Sequence, residues 1–320
     1  MASFGDLNRV NTNVQSLDAQ LSLNRVNRDL ADSRMRMSTG LKINKAEDNA
    51  AGYSIATKLN SRVVGLEQAL SNVGDAKSVL DITESSFDTI MDSLIEIKGL
   101  ATQAANDTLG DTERGYISAQ IESMGDNINQ IANQTVYMDY ELLNGADNSG
   151  SLTLTFQVGE RAQDVISVDV SAVNVGELFA GNTTGTVNLG ATSTAGGGTA
   201  AGAAITVTGA TAGTQGAFSF SSTATASDYR AFIDNIDSAI DTMSSHVNNI
   251  GIAQSSLTVR EETLSESISA NSSAKSRILD TDFAKEQSES VKLQILQQTA
   301  TSALSQANMG PQSVLGFLGQ

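Results

Sequence analysis

The sequence predicts a mainly α-helical protein: a long coiled-coil bundle with paired N- and C-terminal helices, one β-hairpin and a small β-rich insertion. Three observations favour this fold class. Apolar residues recur at intervals of three and four over most of the chain. They alternate with polar residues only around residues 152–170. Aromatic residues make up 4% of the chain, which suits narrow helical seams filled by Leu, Ile, Val and Ala.

The first helix carries apolar residues in two successive phases. The first series, spaced three and four, comprises Leu7, Val10, Val14, Leu17 and Leu21. The second comprises Leu23, Val26, Leu30 and Met37, with Ser33 in the vacant position. Gly40 predicts the end of this helix. Asn44, with Glu47 three residues later, resembles a capping box for the helix that follows.

The second helix has the strongest periodicity in the chain. Apolar residues recur every seven positions at Leu59, Leu66, Val73, Leu80, Phe87, Leu94 and Ala101. Val63, Leu70 and Met91 interleave with them, whereas Lys77 and Glu84 interrupt the second series. This pattern predicts a coiled coil of about 45 residues.

Three further helices follow from the same spacing. One contains Ile117, Ile121, Met124, Ile128 and Ile131, and another contains Ile236, Ile240, Met243, Val247, Ile250, Leu257, Leu264 and Ile268. The last begins near Asp282, its predicted N-cap, and carries Leu293, Leu296, Ala300, Ala303 and Ala307. Pro311 is expected to end it, leaving an apolar tail to Leu318 that needs a partner to cover it.

Two β segments interrupt the helices. Leu152, Leu154, Phe156 and Val158 alternate with polar residues, as do Ile166, Val168 and Val170, which predicts a hairpin. In residues 181–227, 38 of 47 are Gly, Ala, Ser or Thr and none is charged. Ile205 with Val207, and Phe218 with Phe220, predict two short strands there. We expect a weakly packed or partly disordered insertion that assembly does not need.

These patterns predict a nested domain organisation. Residues 1–43 and 272–320 form the two halves of an inner helical core. Residues 44–180 form the first part of an outer bundle with the hairpin, 181–227 the variable insertion, and 228–271 the last helix of the outer bundle.

The charge is divided in the same way. The net charge is −17, but residues 1–42 carry +2, residues 272–320 carry zero and residues 43–271 carry −19. We interpret the near-neutral ends as surfaces that pack against other copies of the chain, where like charge would repel. The acidic middle is expected to face solvent, and the net charge disfavours nucleic acid and anionic membranes as partners.

A polymerisation seam is therefore predicted on the two terminal helices. It comprises Val10, Val14, Leu17, Leu21, Val26, Leu30, Leu293, Leu296, Ala300, Ala303 and Ala307.

The residues that enzymes require are largely missing from the sequence. His246 is the single histidine and falls within the apolar pattern of a helix, so we interpret it as a structural residue. There is no cysteine, no metalloprotease motif and no phosphate-binding loop. We expect no catalytic residue, no metal site and no cofactor. The sequence also shows no signal peptide or membrane span, so export is expected to use a route without a cleaved signal.

Several segments resemble the bacterial flagellins. They are Val10-Asn11-Thr12-Asn13, RMSTGLKINKAEDNAAGYSIA (36–56), LATQAAND (100–107), LTFQVG (154–159), SRILDTDFAKE (276–286) and ILQQTATSALSQANMGPQSVLGFL (295–318). The resemblance covers about residues 1–175 and 228–320. It implies a structural subunit that polymerises into the flagellar filament for swimming motility.

The same resemblance implies partners and a location. The subunit would assemble with itself into a helical homopolymer outside the cell. It would meet the flagellar type III export apparatus, an export chaperone at its C-terminal helix, the filament cap and the hook-junction proteins. Two alternatives remain open: a hook–filament junction protein of the same superfamily, and, more remotely, a cytoplasmic coiled-coil scaffold.

The resemblance also identifies an altered receptor patch. Flagellins detected by the vertebrate flagellin-sensing Toll-like receptor usually carry Arg at the position matching Glu96 and Glu at that matching Gln120. Leu100 is retained in this chain. A Gln-Asn-Arg motif usual in the family's C-terminal long helix is replaced by Gln254-Ser255-Ser256.

Overall fold

The computed structural model describes residues 12–138, 140–144, 150–180, 186–190, 204–208 and 215–318. Its helices are α1 (Val14–Thr39), α2 (Ala50–Ala104), α3 (Asp111–Gln134), α4 (Val175–Ala180), α5 (Ala226–Leu279) and α6 (Phe283–Leu318). Its strands are β1 (Val136–Tyr137), β2 (Tyr140–Glu141), β3 (Ser151–Gln157), β4 (Val165–Ser171), β5 (Thr186–Asn188), β6 (Ile205–Thr208) and β7 (Phe218–Phe220). None of these helices is long and apolar enough to cross a membrane. The predicted fold class is confirmed.

The chain forms two compact units. The terminal unit contains Met1–Val64 and Ile268–Gln320, and the central unit contains Gly65–Ser267. The long helices α2 and α5 each contribute residues to both units.

The end of α1 was predicted correctly, whereas the start of α2 was not. Gly40 has a φ of 71° and its N–H donates to the Arg36 carbonyl at 2.9 Å, which closes α1. Asn44 and Glu47 do not form a capping box. Asn49, next to the first residue of α2, accepts the Gly52 N–H at 2.9 Å instead. Asp48 accepts the N–H groups of Asn44 and Lys45, and these bonds lower the pKa of its carboxyl.

The seven-residue repeat of α2 forms the core of the central unit. Val73, Leu80, Phe87, Leu94 and Ala101 are fully buried. The two interruptions of the pattern bind α5: Lys77 pairs with Glu261 at 2.9 Å, and Glu84 accepts the Gln254 amide at 2.7 Å. The polar exceptions therefore join α2 to α5 at the edge of the apolar seam.

Two arginines close the C-terminal end of α2. Arg114 donates to the carbonyls of Ala104 and Asn106, both at 3.2 Å. Arg230 donates to the Ala105 carbonyl at 3.3 Å and pairs with Asp107 at 3.0 Å. Guanidinium groups satisfy the carbonyls that a helix leaves open at this end and complement its dipole.

The hairpin has the two predicted strands. Leu152, Leu154 and Phe156 on β3 lie directly opposite Val170, Val168 and Ile166 on β4. The predicted apolar residues therefore form three cross-strand pairs on one face. Arg260 of α5 donates to the Val158 carbonyl at 2.9 Å, which fixes the end of the hairpin to the bundle.

The described residues of the insertion are better packed than the sequence predicted. Both predicted strands are present, and β5 adds a third, giving the order β5-β6-β7. Leu189, Ile205 and Val207 are buried, and the rings of Phe218 and Phe179 lie 4.9 Å apart. The expectation of weak packing is wrong for the described part of this range, because composition did not reveal how few large side chains such a small core needs.

The last helix begins as predicted but ends later. Asp282 accepts the N–H groups of Ala284 and Lys285 at 3.0 and 3.2 Å, which confirms the N-cap. Pro311 does not end α6, which continues to Leu318. A proline inside a helix removes one backbone donor but does not forbid the next turn when other contacts compensate.

Candidate assembly surface

The two terminal helices form an antiparallel pair within the terminal unit. Gln297 donates to the side chain of Asn27 at 2.7 Å, and Arg36 pairs with Glu286 at 3.9 Å. Asn13, at the opposite end of α1, donates to the Ala307 carbonyl at 2.8 Å. Later residues of α1 therefore meet earlier residues of α6, and these three links fix one register.

A short backbone pairing continues the same register beyond the helices. Leu41 and Asp280 form an antiparallel bridge, in which the Lys42 N–H donates to the Leu279 carbonyl at 2.5 Å. The Thr281 N–H donates to the Gly40 carbonyl at 3.0 Å. The segments that leave α1 and enter α6 are thus joined by backbone groups, independently of side chains.

The inner faces of the two helices are covered by each other. On α1 the buried and half-buried positions at spacings of three and four are Ser16, Ala19, Leu23, Val26, Leu30, Ser33 and Met37. On α6 they are Glu286, Ser290, Leu293, Gln297, Ala300, Leu304 and Ala307. Only Leu30, Ser33, Ser290 and Leu293 in these two series are fully buried, so the core between the two helices is small. We call the two series together the inner seam.

The outer faces of the same helices carry apolar side chains that the described residues leave exposed. Leu17 and Leu21 are each 59% exposed on α1, and Ile295 is 58% exposed on α6. Val291 and Met309 are also exposed on α6. At 3.6 residues per turn these five residues lie about half a turn from the inner seam. We call these five residues the outer face.

The predicted polymerisation seam is divided between these surfaces. Val26, Leu30, Leu293, Ala300 and Ala307 belong to the inner seam, whereas Leu17 and Leu21 belong to the outer face. Val14 is half-buried at the start of α1, and Leu296 and Ala303 are exposed at the flank of the inner seam. Val10 lies outside the described residues. The predicted seam does not include the exposed Val291, Ile295 and Met309, although Val291 and Ile295 have the four-residue spacing of one helix face.

The altered receptor positions belong to the central unit. Glu96 and Gln120 are exposed and Leu100 is half-buried. Arg114 bonds Ala104 near one end of α3, and Thr135 bonds Ser86 at 3.0 Å just beyond the other end. Because α2 and α3 therefore run antiparallel, Gln120 falls opposite the turn that contains Leu100.

Paired terminal helices with exposed apolar side chains on their outer faces are typical of proteins that assemble with copies of themselves. Comparisons with known proteins give the family. Residues 10–148 match the bacterial flagellin N-terminal helical region, and residues 233–318 match the bacterial flagellin C-terminal helical region.

Two flagellar relatives match nearly the full length of the chain. A flagellin of Bacillus subtilis is 30% identical over 318 residues, covering 97% of this chain and 99% of the relative. The flagellar filament 41 kDa core protein of Borreliella burgdorferi is 28% identical, with the same coverage of each chain. The crystal structure of Bacillus cereus flagellin has 18% identity and a TM-score of 0.42, covering 61% of this chain and 88% of the other.

This chain belongs to the bacterial flagellin family. It is a structural subunit that polymerises with itself into the extracellular flagellar filament, which serves motility.

Proposed function

We propose that the outer face of α1 and α6 is where neighbouring subunits meet in the filament, and that the inner seam holds each subunit's own ends together. The observation that carries this proposal is the exposure of Leu17, Leu21 and Ile295 on helices whose opposite sides are covered. Burying a side chain of this size contributes about 1.5–3 kcal/mol. A few such residues per subunit, repeated along a polymer, supply a substantial driving force for assembly.

The charge of the terminal helices supports this arrangement. Residues 1–42 and 272–320 are near neutral, whereas the remainder carries −19. Identical subunits bring identical charges together, so a neutral contact surface lowers the repulsion that opposes polymerisation. We therefore propose that residues 1–43 and 272–320 form the inner core of the filament, and that 44–271 form the outer part.

Further elements of the proposal rest on family membership. The subunit acts as a structural protein without catalysis and reaches the filament without a cleaved signal. Its partners before assembly are the type III export apparatus, a chaperone on α6, the filament cap and the hook-junction proteins. The apolar composition of α6 supports the chaperone, because such a helix needs a cover before it enters the filament.

The outer face can be tested by placing one carboxylate on it. Ile295→Asp, and Leu296→Asp at the flank, should abolish filament growth from purified subunits because each would bury an unpaired charge at the contact. Thermal unfolding of the central unit should stay unchanged, since neither residue belongs to it. Electron microscopy and sedimentation measure growth, and circular dichroism measures unfolding.

The matched controls are Ile295→Val and Leu296→Met, which keep apolar side chains at the same positions and should polymerise. Long filaments from the Ile295→Asp subunit, at the wild-type critical concentration, would show that the outer face is not a subunit contact.

A further inference from the structure

The side chain of Asn13 makes two hydrogen bonds, one as an acceptor and one as a donor. Its Oδ1 accepts the Ser16 N–H at 3.0 Å, which caps the first turn of α1. Its Nδ2 donates to the Ala307 carbonyl of α6 at 2.8 Å. The amide therefore joins the start of one terminal helix to the far end of the other.

The Ala307 carbonyl, which accepts from Asn13, differs from the other carbonyls around it in its hydrogen bonding. In a regular α-helix the carbonyl of residue 307 accepts from the N–H of residue 311. Residue 311 is proline, which has no N–H, and α6 continues past it to Leu318. The helical ladder of α6 therefore leaves the Ala307 carbonyl without its usual donor, and Asn13 supplies one from another helix.

We propose that Asn13 sets the register of α1 against α6 for assembly. It does so by donating to the Ala307 carbonyl the hydrogen bond that Pro311, which has no N–H, cannot donate. Sliding the helices by one turn would leave this half-buried carbonyl unpaired, and an unpaired polar group is costly once neighbours exclude water. Registers shifted by one turn in either direction gain less, because the α6 carbonyls they bring near Asn13 lie inside the helix and already accept from their own helix.

A second polar contact lies beside the first and serves as its control. Ser16 donates to the side chain of Asn308 at 2.7 Å, so it also joins α1 to α6. This contact involves no backbone group that depends on Pro311. Replacing Pro311 should therefore change the role of Asn13 and leave that of Ser16 as it is.

The test is a double-mutant cycle on the full chain, read as the critical concentration for growth from wild-type filament seeds. Asn13→Ser keeps a capping oxygen for α1 but is too short to reach Ala307. We expect it to raise the critical concentration about tenfold, the factor that corresponds to about 1.4 kcal/mol. On the Pro311→Ala background, where residue 311 supplies its own N–H, the same substitution should raise it by less than about threefold.

Ser16→Ala should raise the critical concentration by the same factor on both backgrounds. If Asn13→Ser forms no filaments at all, their return on the Pro311→Ala background supports the proposal and their continued absence contradicts it. An equal effect of Asn13→Ser on both backgrounds also contradicts it. The inference rests on the proposed assembly through the terminal helices, but Ile295→Asp tests the outer face separately, so either proposal can fail alone.

Discussion

At the residue scale, buried polar groups show how closely the terminal helices approach. Ser33 of α1 and Ser290 of α6 are each 2% exposed and occupy matching positions in the register set by Asn27–Gln297 and Arg36–Glu286. Their small side chains let the two backbones come close. Ser33 therefore interrupts the apolar series at a position where the close helices need a small side chain. The spacing of apolar residues alone could not distinguish this from an exposed polar position.

His246 is the other informative single residue. It is half-buried on α5, and its ring centroid lies 6.3 Å from that of Phe87 on α2. Burial lowers the pKa of His246 below its ordinary value. The folded chain therefore binds a proton at this site less readily than the unfolded chain does.

This difference predicts a pH dependence of stability. Because the pKa is lower in the folded state, the free energy of unfolding should fall as the pH drops below about 6.5, and this loss should level off beneath the folded-state pKa. Urea unfolding of the central unit at pH 7.5 and 5.5 measures it. His246→Gln should make the difference between the two pH values smaller. If wild type and variant lose the same stability over this range, the loss comes from other groups.

At the scale of elements, the sequence predicted the helices and hairpin well because their signals are local. The heptads of α2, the caps at Gly40 and Asp282, and the alternation in β3 and β4 all match the structure. The two apolar phases of α1 also have a structural meaning. The series from Leu23 onward faces α6, and Leu17 and Leu21 of the first series face away from it.

Other features depend on contacts distant in sequence. The predicted seam contains residues of both the inner seam and the outer face, because both have spacings of three and four and only contacts with the partner helix separate them. The end of α6 was misplaced at Pro311, since a donor from Asn13, nearly 300 residues earlier, was not visible in the local sequence. The packing of the insertion depends on Phe179 and Phe232, which lie outside the insertion itself.

The insertion therefore carries a revised prediction. Phe218 packs against Phe232 at 5.5 Å between ring centroids, and Phe220 stacks on Tyr229 at 5.9 Å. Replacing residues 181–227 with a Gly/Ser linker would uncover Phe232 and Tyr229, both fully buried. We expect the central unit to lose several kcal/mol, about 3 for each large aromatic side chain exposed. Chemical denaturation of the soluble subunit measures this loss.

A smaller deletion provides the control. Shortening only residues 191–203 keeps all three strands, in which Thr186 and Thr208 still pair. This variant should unfold at the wild-type denaturant concentration and still form filaments. If the full replacement is equally stable, the aromatic cluster does not support the central unit, and the original expectation of a dispensable insertion stands.

At the scale of the whole molecule, α1 of the terminal unit has fewer buried residues than α3 of the central unit. α1 has 26 residues, of which Leu30 and Ser33 are buried, whereas α3 has 24 residues with seven buried. Ordering a residue costs about 1.5 kcal/mol of conformational entropy, so α1 receives little compensation within a single chain. Neighbouring subunits must supply the remaining contacts.

We therefore expect the terminal helices to be disordered in the free subunit. Backbone amides of α1 should exchange with solvent within the dead time in a dilute monomer, whereas those of α3 in the same sample should be protected. Hydrogen exchange read by mass spectrometry measures both helices together. In assembled filaments α1 should become protected. Strong protection of α1 in the monomer would mean that the inner seam is stable without neighbours.

The central unit contains the positions that match the receptor patch of other flagellins. In flagellins that the vertebrate Toll-like receptor detects, the position matching Glu96 usually carries Arg and that matching Gln120 usually carries Glu. Here one charge is reversed and the other removed, on exposed residues of neighbouring antiparallel helices. On α5, where the family usually has Gln-Asn-Arg, Gln254 binds Asp81 and Glu84 of its own chain.

We expect the receptor to respond poorly to this subunit. Losing an interfacial Arg commonly costs about 2 kcal/mol or more, and a like charge facing its partner adds to that cost. Two such losses weaken binding roughly a thousandfold, since about 1.4 kcal/mol is a factor of ten. A reporter-cell assay on depolymerised subunits measures the response. Glu96→Arg with Gln120→Glu should recover part of it, whereas Glu113→Arg with Gln130→Glu, on exposed positions of α3, should not. A wild-type response equal to that of a stimulatory flagellin would show that these residues do not govern recognition.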